Sequence, residues 1–89
     1  MSIVEVSGDL SPRRARALAA ELEELCAKPR ANVRIDLRSV RLLHLAGVNV
    51  IIQAMVQARR GGGEVTVALP LQPEARRPFE LAGVVSAVA

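Results

Sequence analysis

Residues 33–67, VRIDLRSVRLLHLAGVNVIIQAMVQARRGGGEVTV, decide the fold, because they hold a strand, a crossover helix and a second strand. Val33 to Leu37 predicts a short strand bounded by turn formers. Arg38, Ser39 and Arg41 then make a polar break, after which Val40, Leu42 and Leu43 return the chain to the core. The helix follows at Gly47. From Val48 to Arg60, the residues Val48, Ile51, Ile52, Met55 and Ala58, flanked by Val50 and Ala54, cover roughly 200° of a helical wheel, wider than an ordinary amphipathic stripe. Asn49, Gln53, Gln57 and Arg60 are left as a narrow polar stripe. Such a helix packs on more than one side, against a sheet and a neighbouring helix or partner. Gly61-Gly62-Gly63 ends it, Glu64 to Leu69 alternates as the next strand, and Pro70 stops that strand.

Toward the N-terminus, Ile3 to Ser7 alternates as a first strand and Gly8-Asp9 reads as a turn. Ser11 can cap a helix with Pro12 at its first position, where the missing N–H costs nothing. Ala15, Leu18, Ala19, Leu22, Leu25 and Cys26 form its apolar face, and Pro29 ends it before Arg30, Ala31 and Asn32 lead into the Val33 strand. Toward the C-terminus, Gln72-Pro73-Glu74 starts a third helix that should end at Gly83. Pro78 falls inside it and predicts a kink or a displaced start; Val84 to Ala89 is a short apolar tail. The order β, α, β, α, β, α predicts an α/β fold, a small mainly parallel sheet with helices packed on one face. The outer strand, Ile3 to Ser7, has no earlier segment to cover it, so a homodimer through that edge is expected.

Eighty-nine residues make a single domain, 1–89, that hides only about 60 to 65% of its unfolded surface. The hydrophobic share is 51%, yet Phe79 is the only aromatic residue, so Val, Leu, Ile and Ala must build the core. The sequence contains no membrane span and no signal-peptide pattern, and a lone Cys26 fits a reducing compartment; a cytoplasmic protein is expected. The formal charge is +3, and eleven of the twelve basic residues are arginine. These are dispersed over Arg13, Arg14, Arg16, Arg59, Arg60, Arg76 and Arg77, without aromatic side chains for base stacking, so nucleic acid is not the expected partner.

No enzyme assembles from these residues. His44 has no second histidine, and the one cysteine is distant in sequence, too few ligands for zinc, so it reads as a capping or partly buried residue. Cys26 continues an apolar stripe and reads as a buried structural thiol rather than a nucleophile paired with His44. Gly61 to Gly63 follows a helix and precedes a strand, the reverse of a phosphate loop. Asp9 and Asp36 suit a turn and a strand end better than an acid–base pair. Neither a metal nor a cofactor is expected.

The succession VEVSGDLS (4–11), VRIDLRSVRLLHLAG (33–47), QARRGGGEVTVALP (57–70) and PEARRPFELAGV (73–84) resembles the STAS domain, the fold of anti-sigma factor antagonists. The resemblance implies a bacterial partner-switching protein of transcription regulation, one that binds a serine kinase acting as anti-sigma factor and is released by phosphorylation. The family's phosphoacceptor lies in an Asp-Ser-Ser-Gly or Asp-Ser-Thr-Gly tetrad before the long helix; the matching tetrad here is His44-Leu45-Ala46-Gly47, with no hydroxyl at Leu45 or Ala46. The phosphorylation switch is therefore not carried over. The partner-facing surface is: Gly8, Asp9, Leu10 and Ser11 match the family's turn, and His44, Leu45, Ala46, Gly47, Val48 and Asn49 match the start of its contact helix. Leu45 is either core or an exposed contact. The partners implied are an anti-sigma factor or serine kinase, or another STAS protein. The same family includes accessory subunits of ABC lipid or solute transporters that bind the transporter ATPase, and a small-molecule sensor rests on fold analogy alone.

Overall fold

The computed structural model describes residues 1–81, with six elements in the order β1 (Ser2–Leu10), α1 (Pro12–Cys26), β2 (Asn32–Leu43), α2 (Leu45–Arg60), β3 (Glu64–Ala68) and α3 (Pro73–Leu81). The expected helix end at Gly83 and the tail from Val84 to Ala89 lie outside the described residues. The sheet is parallel in the order β1-β2-β3, and the helices pack on one face of it. Val4, Val6 and Leu10 of β1, Val33, Ile35, Leu37 and Val40 of β2, and Val65 and Val67 of β3 point into one core with all three helices. On the opposite face Ile3, Glu5 and Ser7 are exposed, with Arg34, Asp36 and Thr66 half-buried beside them.

Both edges of the polar break differ from the sequence expectation. β2 does not stop at Leu37 but runs on to Leu43, because two register shifts absorb the arginine-rich segment. From Glu5 to Ser7 the strand β1 advances two residues while β2 advances three, from Asp36 to Ser39; a second shift falls between Gly8 and Asp9. The first bulge is held by its own side chains. The Asp36 carboxylate accepts the Arg38 N–H at 3.1 Å, and also Nε at 3.1 Å and Nη2 at 2.9 Å of the same guanidinium. Gly8 and Asp9, expected as a turn, remain within β1: Gly8 adopts φ +73°, a left-handed step that a glycine makes without strain, next to the second shift. The facing of the residues past the break changes as a result. Val40 is fully buried as expected, but Leu42 is 54% exposed and Leu43 only partly buried, so Leu42 does not return to the core.

The Arg38 hydrogen bonds hold the Asp36 carboxyl below the usual carboxylate range. A carboxyl whose folded pKa is depressed contributes stability above its unfolded pKa and loses it as pH falls through the folded value. Stability is therefore expected to drop below about pH 4, by a modest amount since Arg38 is exposed. Asp36→Asn should flatten that acid limb in urea titrations at several pH values; an unchanged limb would remove Asp36 from the acid response.

Helix α1 begins as expected: Ser11 Oγ accepts the Arg14 N–H at 3.4 Å and Pro12 opens the helix. Ala15, Leu18, Leu22 and Cys26 are buried, and burial pushes the Cys26 thiol up, which makes it a poor nucleophile. Its charges run against the helix dipole. Arg13, Arg14 and Arg16 occupy the first turns and Glu21, Glu23 and Glu24 the last, and the first turn holds no acid and the last no base. Each charge at the wrong terminus costs about 0.3–1 kcal/mol at low ionic strength. No arginine on α1 has a glutamate three or four residues away to compensate.

Helix α2 buries Gly47, Val48, Ile51, Ala54 and Ala58, with Val50, Ile52 and Met55 partly buried, so the wide apolar stripe meets both the sheet and α1. It ends in a Schellman motif: Gly62, at φ +78°, donates to Arg59 O at 3.1 Å and Gly63 to Ala58 O at 2.8 Å. The third helix starts at Pro73 and continues through Pro78, so its start is not displaced. Ala75 (1% exposed) and Phe79 (0%) anchor it to the core, which offsets the hydrogen bond that Pro78 cannot donate.

Candidate functional site

Two connections meet at the end of the sheet where the strands finish, the usual place for function in an open parallel α/β sheet. One joins β1 to α1 through Gly8, Asp9, Leu10 and Ser11. It is braced by Arg14, whose Nη1 donates to Ser7 O at 2.6 Å and Asp9 O at 2.8 Å. The other joins β2 to α2 at His44. The His44 N–H donates to Leu10 O at 3.4 Å, and the Gly47 N–H to His44 O at 2.9 Å. Side chains lock the same junction: a Cβ on Gly47 would sit 2.6 Å from Leu10 Cδ2 and 3.2 Å from Leu43 Cδ1. Any side chain at position 47 would have to push the Leu10 side chain aside for α2 to start this close to the end of β1.

The ten residues singled out in the two segments thus come together, and burial sorts them. Leu10 and Val48 (each 1% exposed) and Gly47 form the floor and offer no side chain to the surface. Asp9, His44, Leu45, Ala46 and Asn49 are exposed, with Gly8 and Ser11 half-buried. Leu45 is not core: it is 69% exposed at the first position of α2. His44 stands at the N-cap by its backbone angles, φ −87° and ψ 154°, but its side chain makes no capping bond and is exposed, so it is neither a capping side chain nor partly buried.

Sequence reasoning missed two members of this end. Leu42 (54% exposed) precedes His44 at the end of β2; Leu71 (71%) is also exposed but follows β3 beside Arg38, its N–H donating to Arg38 O at 3.4 Å. Arg14 was read only as a helical charge. The adjacent Leu42-Leu43 pair carried a signal, since a strand cannot bury both neighbours on one face. Leu42 and Leu45 give this end an exposed apolar character that a solvated loop does not need.

Other candidates do not converge. Cys26 ends α1 at the far side from His44, about 22 Å along a helix of 15 residues. Asp9 pairs with Leu42, six residues along β2 from Asp36, or about 20 Å. Among the described residues no group of three or more His, Cys, Asp or Glu gathers where a metal could sit, and no helix is long and apolar enough to cross a membrane. The surface of the described residues includes a groove of about 550 Å³ between α1 and α2, lined by the polar stripe Asn49, Gln53, Gln57 and Arg60, and a slot of about 190 Å³ between β1 and α1.

The fold is that of a small α/β domain, a parallel three-stranded sheet with its helices on one face. The chain belongs to the STAS domain family: the family model described as Mlab, STAS domain, matches residues 1–86. The solved structure of the anti-sigma factor antagonist SpoIIAA in its unphosphorylated form is similar in fold, with a TM-score of 0.77 and 14% identity over 92% of this chain and 71% of that chain. No curated protein matches in sequence.

Proposed function

We propose that the chain is a non-enzymatic STAS interaction module that docks a protein partner through the apolar end of its sheet, in the manner of an anti-sigma factor antagonist but without a phosphorylation switch. The observation that carries this reading is Leu45, 69% exposed at the position matching the family's phosphoacceptor. An apolar side chain there has no use in solvent and cannot take phosphate. Its partner is a cytoplasmic bacterial anti-sigma factor or serine kinase, or another STAS protein, and the contact is made by Asp9, Ser11, His44, Leu45, Ala46 and Asn49 over the floor of Leu10, Gly47 and Val48. The exposed Leu42 extends the same surface.

A second reading, an accessory subunit that binds the ATPase of an ABC lipid or solute transporter, is favoured by the family model matched, which carries the Mlab description. A tagged pull-down from native cytosol, with intact-mass measurement of the bait, separates the two. Recovery of a kinase or sigma regulator on unmodified bait supports the first, and recovery of a transporter ATPase supports the second. A phosphorylated bait, heavier by one phosphoryl group, overturns the switchless reading.

A further inference from the structure

We propose that the outer edge of β1 and the adjoining flank of α1 form a contact surface for a second copy of this chain, the two β1 strands and the two α1 helices running antiparallel about a twofold axis. This surface lies at the side of the sheet and adjoins the docking end at Leu10 and Arg14. Three observations converge on it. Among the described residues, β1 pairs only with β2, so apart from Ser7 and Asp9, whose carbonyls accept from Arg14 Nη1, its far edge has no strand beside it. Beside that edge runs the slot of about 190 Å³, floored by Val4, Val6, Leu10 and Leu18 and rimmed by Arg14, Ala17 and Glu21; it is placed to receive alternate side chains of an entering strand.

The third observation selects the occupant. The exposed surface of α1 carries Arg13 near its start, Ala17 and Ala20 in the middle, and Glu21 and Glu24 near its end, and Ala17 and Glu21 line the slot; Arg14 is already held by Ser7 O and Asp9 O. Reversed end for end about the alanines, the pattern is its own complement: Arg13 of one copy faces the glutamates of the other, and the alanines let the helices approach. The same charges oppose the helix's own dipole and have no partner on the helix, so an antiparallel copy supplies what the isolated helix lacks. The spacing agrees. Helix α1 packs on both β1 and β2, so pairing two β1 strands separates the two α1 axes by about two strand spacings, roughly 9.6 Å. Helices in contact lie 8–10 Å apart, as a general rule of packing.

The test is analytical ultracentrifugation of the wild-type chain, of the variant Glu21→Arg/Glu24→Arg, of the variant Arg13→Glu/Ala17→Glu, and of the two variants mixed. The wild type is expected to dimerise, each variant alone to dimerise at least about tenfold more weakly, and the mixture to recover a heterodimer. Glu21→Arg/Glu24→Arg places bases at the C-terminal end of α1, so at a dilution where both are monomeric its melting temperature should match or exceed the wild type's; loss of dimer is then not loss of fold. Protection of β1 amides from hydrogen exchange should rise with wild-type concentration. A wild type that stays monomeric at millimolar concentration overturns the proposal. So does a dimer that neither charge reversal weakens, or a mixture that fails to associate. The variants leave Leu10, Arg14 and the exposed residues of the docking end unchanged, so the pull-down is read separately from these results.

Discussion

Phe79→Ala is expected to lower the unfolding free energy by about 3 to 5 kcal/mol, the usual cost of emptying a fully buried aromatic site. Phe79 is 0% exposed, sits in the single core cluster and is the only aromatic side chain in the chain. Among the α3 residues whose burial is described, the other buried one is Ala75, too small to refill the cavity. A domain of this size holds only about 5 to 15 kcal/mol in total, and each kcal/mol moves its melting temperature by about 4 to 8 °C. A fall on the order of 15 °C or more is therefore expected in a thermal melt. Leu71→Ala, at 71% exposure, should change stability by no more than about 0.5 kcal/mol. A Phe79→Ala loss below about 1 kcal/mol would mean that α3 contributes little to the core.

Leu45→Asp should leave the fold intact and weaken partner binding by about 2 kcal/mol or more, roughly thirtyfold, as for removal of an interface hot spot. The two effects separate because of where Leu45 sits. It opens α2, whose first turn contains no acidic residue, so a carboxylate there meets the positive end of the helix dipole and is stabilising by a few tenths of a kcal/mol up to about 1. The same charge on an apolar docking surface must be desolvated against the partner. Titration of the partner recovered by pull-down, with circular dichroism of both proteins, reads both quantities. Unchanged affinity with an intact fold would move the docking surface away from this end.

Most of the architecture was legible in the linear chain. Ser11-Pro12, the three- and four-residue spacing through Cys26, the wide stripe from Val48 to Ala58 and the glycines after Arg60 each act within a turn or two of helix, so neighbours in sequence suffice to reveal them. The segment from Arg38 to Leu43 was not legible. Its apparent break is two bulges whose position depends on how β2 pairs with β1, and a bulge exchanges the two faces of everything beyond it. That is why Leu42 was assigned to the core and lies exposed.

The proposed docking end divides in the same way. Its residues were named from the resemblance to the STAS family, but which of them face solvent follows from the approach of Gly47 to Leu10 and the His44–Leu10 hydrogen bond, between residues more than thirty positions apart. The order of amino acids by itself determined the alternation of strands and helices, the helix caps, the absence of a hydroxyl at Leu45 and Ala46, and the reversed charge pattern of α1. Only the tertiary structure decided that Leu42, Leu45 and Leu71 stand exposed, that Leu10 and Val48 lie beneath the docking end, and that β1 leaves an edge beside a slot. Periodicity and capping are local properties of a chain, whereas exposure and strand register belong to the contacts a residue makes with segments far from it in sequence.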